Sequence, residues 1–314
     1  MRKKDIPLGE KRWKSYLSSY LMILPAIIFL LLFTVYPMIH IIQLSLYRGN
    51  ALKPFKEFVG LDNFRQLFFV KTDFLAALKN TAYYTVMELV LTIVLAVVFG
   101  VWMQRDRKIN RVAQTVFFTP HLVASISCAF IWTWLYNKND YGLFNTVLGF
   151  FGIPYQSWLN DSKLAMNCVI VMNVWKSIGY YALIILAALK SIPTEIYEAA
   201  KLDNASPTKV FFKITLPMLS PTTFYLCIVR LIAAFKAFSA INTGAFKVFD
   251  SMRIMTNGGP GDSTRVLCMY IYDYAFQRSN TLGIGAAAGV VLMIILILVT
   301  LLDFKGLERK VHYQ

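Results

Sequence analysis

No Gly-x-x-x-x-Gly-Lys-Ser/Thr segment occurs anywhere in the chain, so it lacks the phosphate-cradling loop of nucleotide-hydrolysing proteins. Acidic residues are scarce: 17 Asp and Glu stand against 32 Lys and Arg, and charged residues of both signs make up only 16% of the sequence. A basic excess can point to nucleic acid, but no basic face interleaved with aromatics is present. Much of the excess sits in short segments beside apolar runs, where Lys and Arg set orientation in a membrane. Four cysteines, Cys128, Cys168, Cys227 and Cys268, are scattered singly and suggest neither a disulfide framework nor a metal site. The three histidines, His40, His121 and His312, lie far apart without carboxylate or cysteine partners at ligand spacing, so no bound metal is expected. No Ser/His/Asp set, Cys/His set or suitable carboxylate pair can be assembled either, which argues against an enzyme.

What the chain has in quantity is apolar sequence. Hydrophobic residues are 57% of the total and are gathered into runs far longer than a soluble core helix needs. This predicts an all-α polytopic membrane protein with about six spans. They are expected at Tyr16 to Ile42, Thr81 to Met103, Val112 to Tyr136, Leu164 to Leu189, from Pro221 onward, and at Thr281 to Leu302. Residues 1–15 form a basic segment rich in Lys and Arg, and no small-residue cleavage site follows, so the first span reads as uncleaved with its flank in the cytosol. Arg105, Arg107, Lys108 and Arg111 mark a cytosolic turn after the second span. Lys305, Arg309 and Lys310 follow the last span, so both termini are expected in the cytosol of a prokaryote, with residues 16–314 forming one transmembrane domain. The end of the fifth span is ambiguous: Ala234-Phe-Lys-Ala-Phe-Ser239 is echoed eleven residues later by Ala245-Phe-Lys-Val-Phe-Asp250, and either copy can close it. Gly258-Gly-Pro-Gly261 reads as a turn in an external loop.

Between the fourth and fifth spans lies the one polar, tightly punctuated segment, which span counting places in the cytosol. Ile196, Ala199, Ala200 and Leu202 recur at helical spacing after Pro193. Asp203-Asn204 suits a left-handed closure, and Ser206-Pro207 suits a new N-cap with proline just inside the next helix. Glu198-Ala199-Ala200, Asp203-Asn204-Ala205, Phe211, Ile214, Pro217 and Pro221 resemble the Glu-Ala-Ala loop of inner-membrane permease subunits of binding-protein-dependent ABC importers, in particular the carbohydrate-uptake type. Asn204 stands where that family has glycine, a substitution that tolerates positive φ at modest cost. The resemblance implies a type I ABC importer permease fold and a cytosolic coupling loop over residues 191–220, with Glu198, Ala199, Ala200, Asp203, Asn204 and Ala205 meeting an ATPase. It also implies a second homologous permease, two ATP-binding subunits that use ATP and Mg, an external solute-binding protein and a sugar substrate. No cofactor is then bound by this chain, and nucleic acid is not a partner.

Charges inside spans are costly and need partners or water. Glu88, Lys176, Arg230 and Lys236 are such charges. Glu88 and Lys236 are expected at similar depth, which permits an ion pair. Asn173, Trp175, Lys176, Ser177 and Tyr180 combine flat aromatics with hydrogen-bonding groups near mid-span, a mix that suits a sugar's apolar faces and hydroxyl rim. The family resemblance also assigns this segment to the sugar site, while helix packing is the alternative. Gly283, Gly285, Ala286, Ala287, Ala288 and Gly289 predict close helix packing on the last span, within this chain or against a sister permease. Two rival functions use the same residues: a permease for glycerol-3-phosphate, with Lys176 and Arg230 meeting phosphate, and a proton-coupled secondary transporter with Glu88 as carrier.

Overall fold

The structure is a computed structural model that describes residues 10–139, 141–235 and 246–306. Among them, four helices are long and apolar enough to cross a membrane, or six spans if each of two bent helix pairs counts as one. Span 1 runs from Ser19 to Ser45, span 2 from Thr72 to Met103, span 4 from Ala165 to Lys190 and span 6 from Leu282 to Leu302. Spans 3 and 5 are the bent ones.

Span 3 departs from the single helix that its continuous apolar run predicts. It is two helices, Lys108–Leu122 and Ser125–Leu135, meeting at 102°. Pro120 has no N–H to donate, and Val123 and Ala124 leave the helix with ψ values of 139°. Span 5 is built from Pro207–Met218 and Ser220–Leu231, bent by 59°. A proline follows two of the irregular turns. A π turn at Leu31–Val35 ends two residues before Pro37, and another at Phe211–Thr215 ends two residues before Pro217. In each case the missing proline N–H interrupts the regular ladder, and the chain widens by a residue to recover it.

Span 4 is the hub of the bundle. Its most apolar window is 72% buried, against 33% for span 2 and none for span 1. Two glycines allow the close approach. A Cβ on Gly100 of span 2 would stand 2.7 Å from Ile185 Cγ2, and one on Gly179 would collide with the carbonyl of Phe117 in the first half of span 3. The small-residue face of span 6 is used within the chain itself. Gly283 lies against the Tyr47 carbonyl and Asn63, Gly285 against Ala275 and Gly289 against Ile41 of span 1.

Between spans 1 and 2, Tyr47–Arg48 pairs antiparallel with Glu57–Phe58, and Asn63 donates to the carbonyls of Ser45 and Tyr47 at 2.8 and 2.9 Å. Between spans 5 and 6, a helix at Phe246–Met255 leads into the turn predicted at Gly258 to Gly261, where Gly258 and Gly261 take φ of 85° and 55°. Asn80 of span 2 fastens this turn by donating to the carbonyls of Asp262 and Arg265. Lys236 and most of the repeated Ala234 to Asp250 stretch lie outside the described residues.

Candidate functional site

The segment between spans 4 and 5 folds as the helical hairpin that its punctuation predicts. Pro193 precedes the helix Thr194–Leu202 as its N-cap, one position earlier than expected. Asn204 then takes φ of 52°, Ala205 N–H donates to the Ala200 carbonyl and Asn204 N–H to the Lys201 carbonyl, both at 3.0 Å. These two bonds are the six-to-one and five-to-two pair of a Schellman closure, so asparagine keeps the turn that glycine makes in the family. Ser206 Oγ accepts from the Lys209 N–H at 3.4 Å and Pro207 opens the second helix. Tyr197 Oη and Thr215 Oγ1, 3.3 Å apart, tie the two arms together.

The two arms enclose an open groove of about 390 Å³, lined among others by Ala199, Ala200, Asp203, Ala205, Lys209 and Lys213. Glu198, Ala199, Asp203 and Asn204 are exposed on the hairpin, and Ala205 is half-buried. Ala200 is different. It is 6% exposed and turned into the hairpin, so the two alanines do not present one small surface. Helical periodicity grouped them without showing which face packs at home. Leu202, which helical spacing groups with Ile196, Ala199 and Ala200, stands 85% exposed at the end of its helix, and sequence reasoning gave it no role in the site.

Inside the bundle, Glu88 pairs with Arg230; the expected partner Lys236 lies outside the described residues. Arg230 Nε donates to Glu88 Oε2 at 2.9 Å, and its second nitrogen pairs with the other carboxylate oxygen. The same guanidinium donates to Ser177 Oγ at 2.9 Å and lies over the Tyr181 ring at 5.2 Å. Thr92 Oγ1 adds a 3.4 Å bond to Glu88. Spans 2, 4 and 5 therefore meet at one ion pair whose carboxylate is 1% exposed and whose arginine is 13% exposed.

Lys176 reaches the break in span 3. Its ammonium donates to the carbonyls of Pro120, at 3.3 Å, and Val123. Carbonyls at a helix C-terminus have no intrahelical donor, and a cation there also complements the helix dipole. Asn173 donates to the Val169 carbonyl at 3.0 Å and accepts from Ser251 at 3.2 Å. Asn173, Lys176 and Ser177 are thus buried and bonded to protein groups from three neighbouring segments. Trp175 and Tyr180 are each about two-fifths exposed. Trp175 lies 5.3 Å from Trp132, and Tyr180 stacks on His121 at 4.5 Å with the rings 7° apart. The five residues share one helix, three of them bonded into the bundle and two partly exposed.

The chain matches the family model described as "Binding-protein-dependent transport system inner membrane component" over residues 89–313. It is 33% identical over 290 residues to the probable ABC transporter permease protein YurN of Bacillus subtilis, covering 91% of this chain and 94% of that protein. It is 33% identical over 311 residues to the sn-glycerol-3-phosphate transport system permease protein UgpA of Pectobacterium atrosepticum, covering 98% of each. Among solved structures, a bacterial alginate ABC transporter in complex with an alginate pentasaccharide-bound periplasmic protein contains a chain with TM-score 0.79 and 25% identity, covering 95% of this chain and 96% of that one. The chain belongs to the inner-membrane permease components of binding-protein-dependent ABC transport systems, and so is a transport subunit and not an enzyme.

Proposed function

We propose that this permease carries a sugar or oligosaccharide inward, delivered by an external solute-binding protein, and that it works beside a second homologous permease and two ATP-binding subunits. The observation that carries the reading is the hairpin between spans 4 and 5. Its exposed side offers the charges Glu198 and Asp203, the small residue Ala199 and the apolar Leu202 beside an open groove. ATP and Mg would be bound by the partner subunits alone. Closure of those subunits would pull the hairpin, and rigid span 4 together with the bent entry to span 5 would pass that motion to the bundle. In this assignment residues 191–220 are the coupling loop of a single transmembrane domain, residues 1–15 precede it, and both termini lie in the cytosol.

Trp175 and Tyr180 supply partly exposed aromatic surface for a sugar ring, on the helix that Asn173, Lys176 and Ser177 fasten into the bundle. The relative that takes up an oligosaccharide with its binding protein supports a carbohydrate. A second reading, glycerol-3-phosphate, is favoured by the name of the UgpA relative. Against it, the two cations that would meet phosphate already face the Val123 carbonyl and Glu88. Uptake of labelled oligosaccharides into cells carrying the complete importer, competed with unlabelled sn-glycerol 3-phosphate, separates the two. Uptake that resists the phosphate ester and stops on ATP depletion supports a sugar. Uptake of the ester itself overturns it.

A further inference from the structure

The segment joining spans 3 and 4 sits at the end of span 4 opposite the hairpin, where water-facing loops normally carry charge. Residues 141–160 contain no Asp, Glu, Lys or Arg at all. By contrast, the connection between spans 1 and 2 carries Arg48, Lys53, Lys56, Glu57, Asp62, Arg65 and Lys71. The uncharged segment forms a helix, Leu143–Phe150, closed by Gly152 at φ of 71°. It displays large apolar side chains outward: Tyr141 is 75% exposed, Phe150 87% and Phe151 71%, with Leu143, Val147 and Tyr155 near half.

One polar side chain, Asn145, is turned inward and satisfied. Asn145, fully buried, donates to the carbonyls of Asn137 and Gln156 at 3.1 and 3.0 Å. Its Oδ1 accepts from the Gln156 N–H and the Trp158 indole, both at 3.0 Å. The helix end is closed by Ile153 N–H donating to the Leu148 carbonyl at 3.0 Å. The exposed face is also continuous with the outward face of the upper half of span 3, where Phe130, Ile131 and Trp134 are 62%, 52% and 53% exposed.

From this we infer that residues 141–155 lie in the headgroup and acyl boundary of the membrane, with Phe150 and Phe151 inserted among lipid chains as an interfacial anchor for the turn between spans 3 and 4. Aromatic residues are enriched at that depth, and an amphipathic helix binds there through its apolar face. A docking site for a soluble binding protein that must come and go would be more polar, since transient interfaces are only about as apolar as ordinary protein surface, at roughly 56–58% non-polar area.

The test is p-benzoylphenylalanine in place of Phe150 in the complete importer in native lipid, photolysed with the binding protein present, with adducts read by intact mass. The same probe at Trp134 reports on the span face. A phospholipid adduct at position 150 is the expected result. A cross-link from position 150 to the binding protein or to another subunit, or the absence of any lipid adduct there, overturns the inference.

Discussion

Arg230→Met removes the cation from the ion pair that joins spans 2, 4 and 5. It leaves the Glu88 carboxylate 1% exposed, with the 3.4 Å Thr92 hydroxyl bond as the one remaining to it among the described residues. Breaking a buried pair from one side costs about 3–5 kcal/mol, because the surviving charge stays desolvated, whereas replacing both partners with apolar residues of similar volume is often neutral. The Ser177 hydroxyl also loses the bond it accepts from Arg230. At about 2–4 °C per kcal/mol for mid-sized domains, the single variant should melt on the order of 10 °C below the wild type. The double variant Glu88→Leu/Arg230→Met should recover most of that loss. The assay is thermal unfolding of the assembled importer in nanodiscs, with subunit yield as a second readout. Equal melting of wild type and Arg230→Met, or a double variant as unstable as the single one, would refute the reasoning.

Two further perturbations address the hairpin. Because Asn204 holds φ of 52°, Asn204→Gly should preserve uptake and stability, while Asn204→Val should cost about 1–2 kcal/mol by forcing a β-branched residue into the left-handed region, read as lower uptake and lower melting temperature. Ala199→Trp, on the exposed side, should abolish uptake with normal membrane level and melting, whereas Ala200→Trp overfills a site 6% exposed and should lower the melting temperature as well, by overpacking of about 1–3 kcal/mol. Identical behaviour of the two tryptophan variants would contradict the orientation of this helix.

The membrane class, the number of spans and the hairpin were legible in the sequence because each depends on local signals: unbroken apolar runs for the spans, and Pro193, Asn204, Ser206 and Pro207 for the hairpin. Asn204 in place of glycine made the turn no less readable, since both residues reach the same backbone region. The rest was set by packing. The break in span 3 was hidden because residues 121–126 stay mostly apolar through the bend, and Pro120 was the sole local hint. Depth counting paired Glu88 with Lys236 and left out Arg230, whose approach to Glu88 depends on how span 5 is turned toward spans 2 and 4. Lys176 was read for the ligands its ammonium suits, but the carbonyls it meets exist only because span 3 bends against span 4.

The account rests on the hairpin between spans 4 and 5 facing the nucleotide cycle of another subunit. Leu202→Cys places a reactive group at its most exposed apolar position, in a chain whose native cysteines are buried or half-buried. In the complete importer, a short bifunctional thiol reagent should join position 202 to the ATP-binding subunit, with a yield that changes when ATP is added. Labelling of that cysteine by a membrane-impermeant reagent from outside intact cells, or no adduct with the ATP-binding subunit in either nucleotide state, would contradict it.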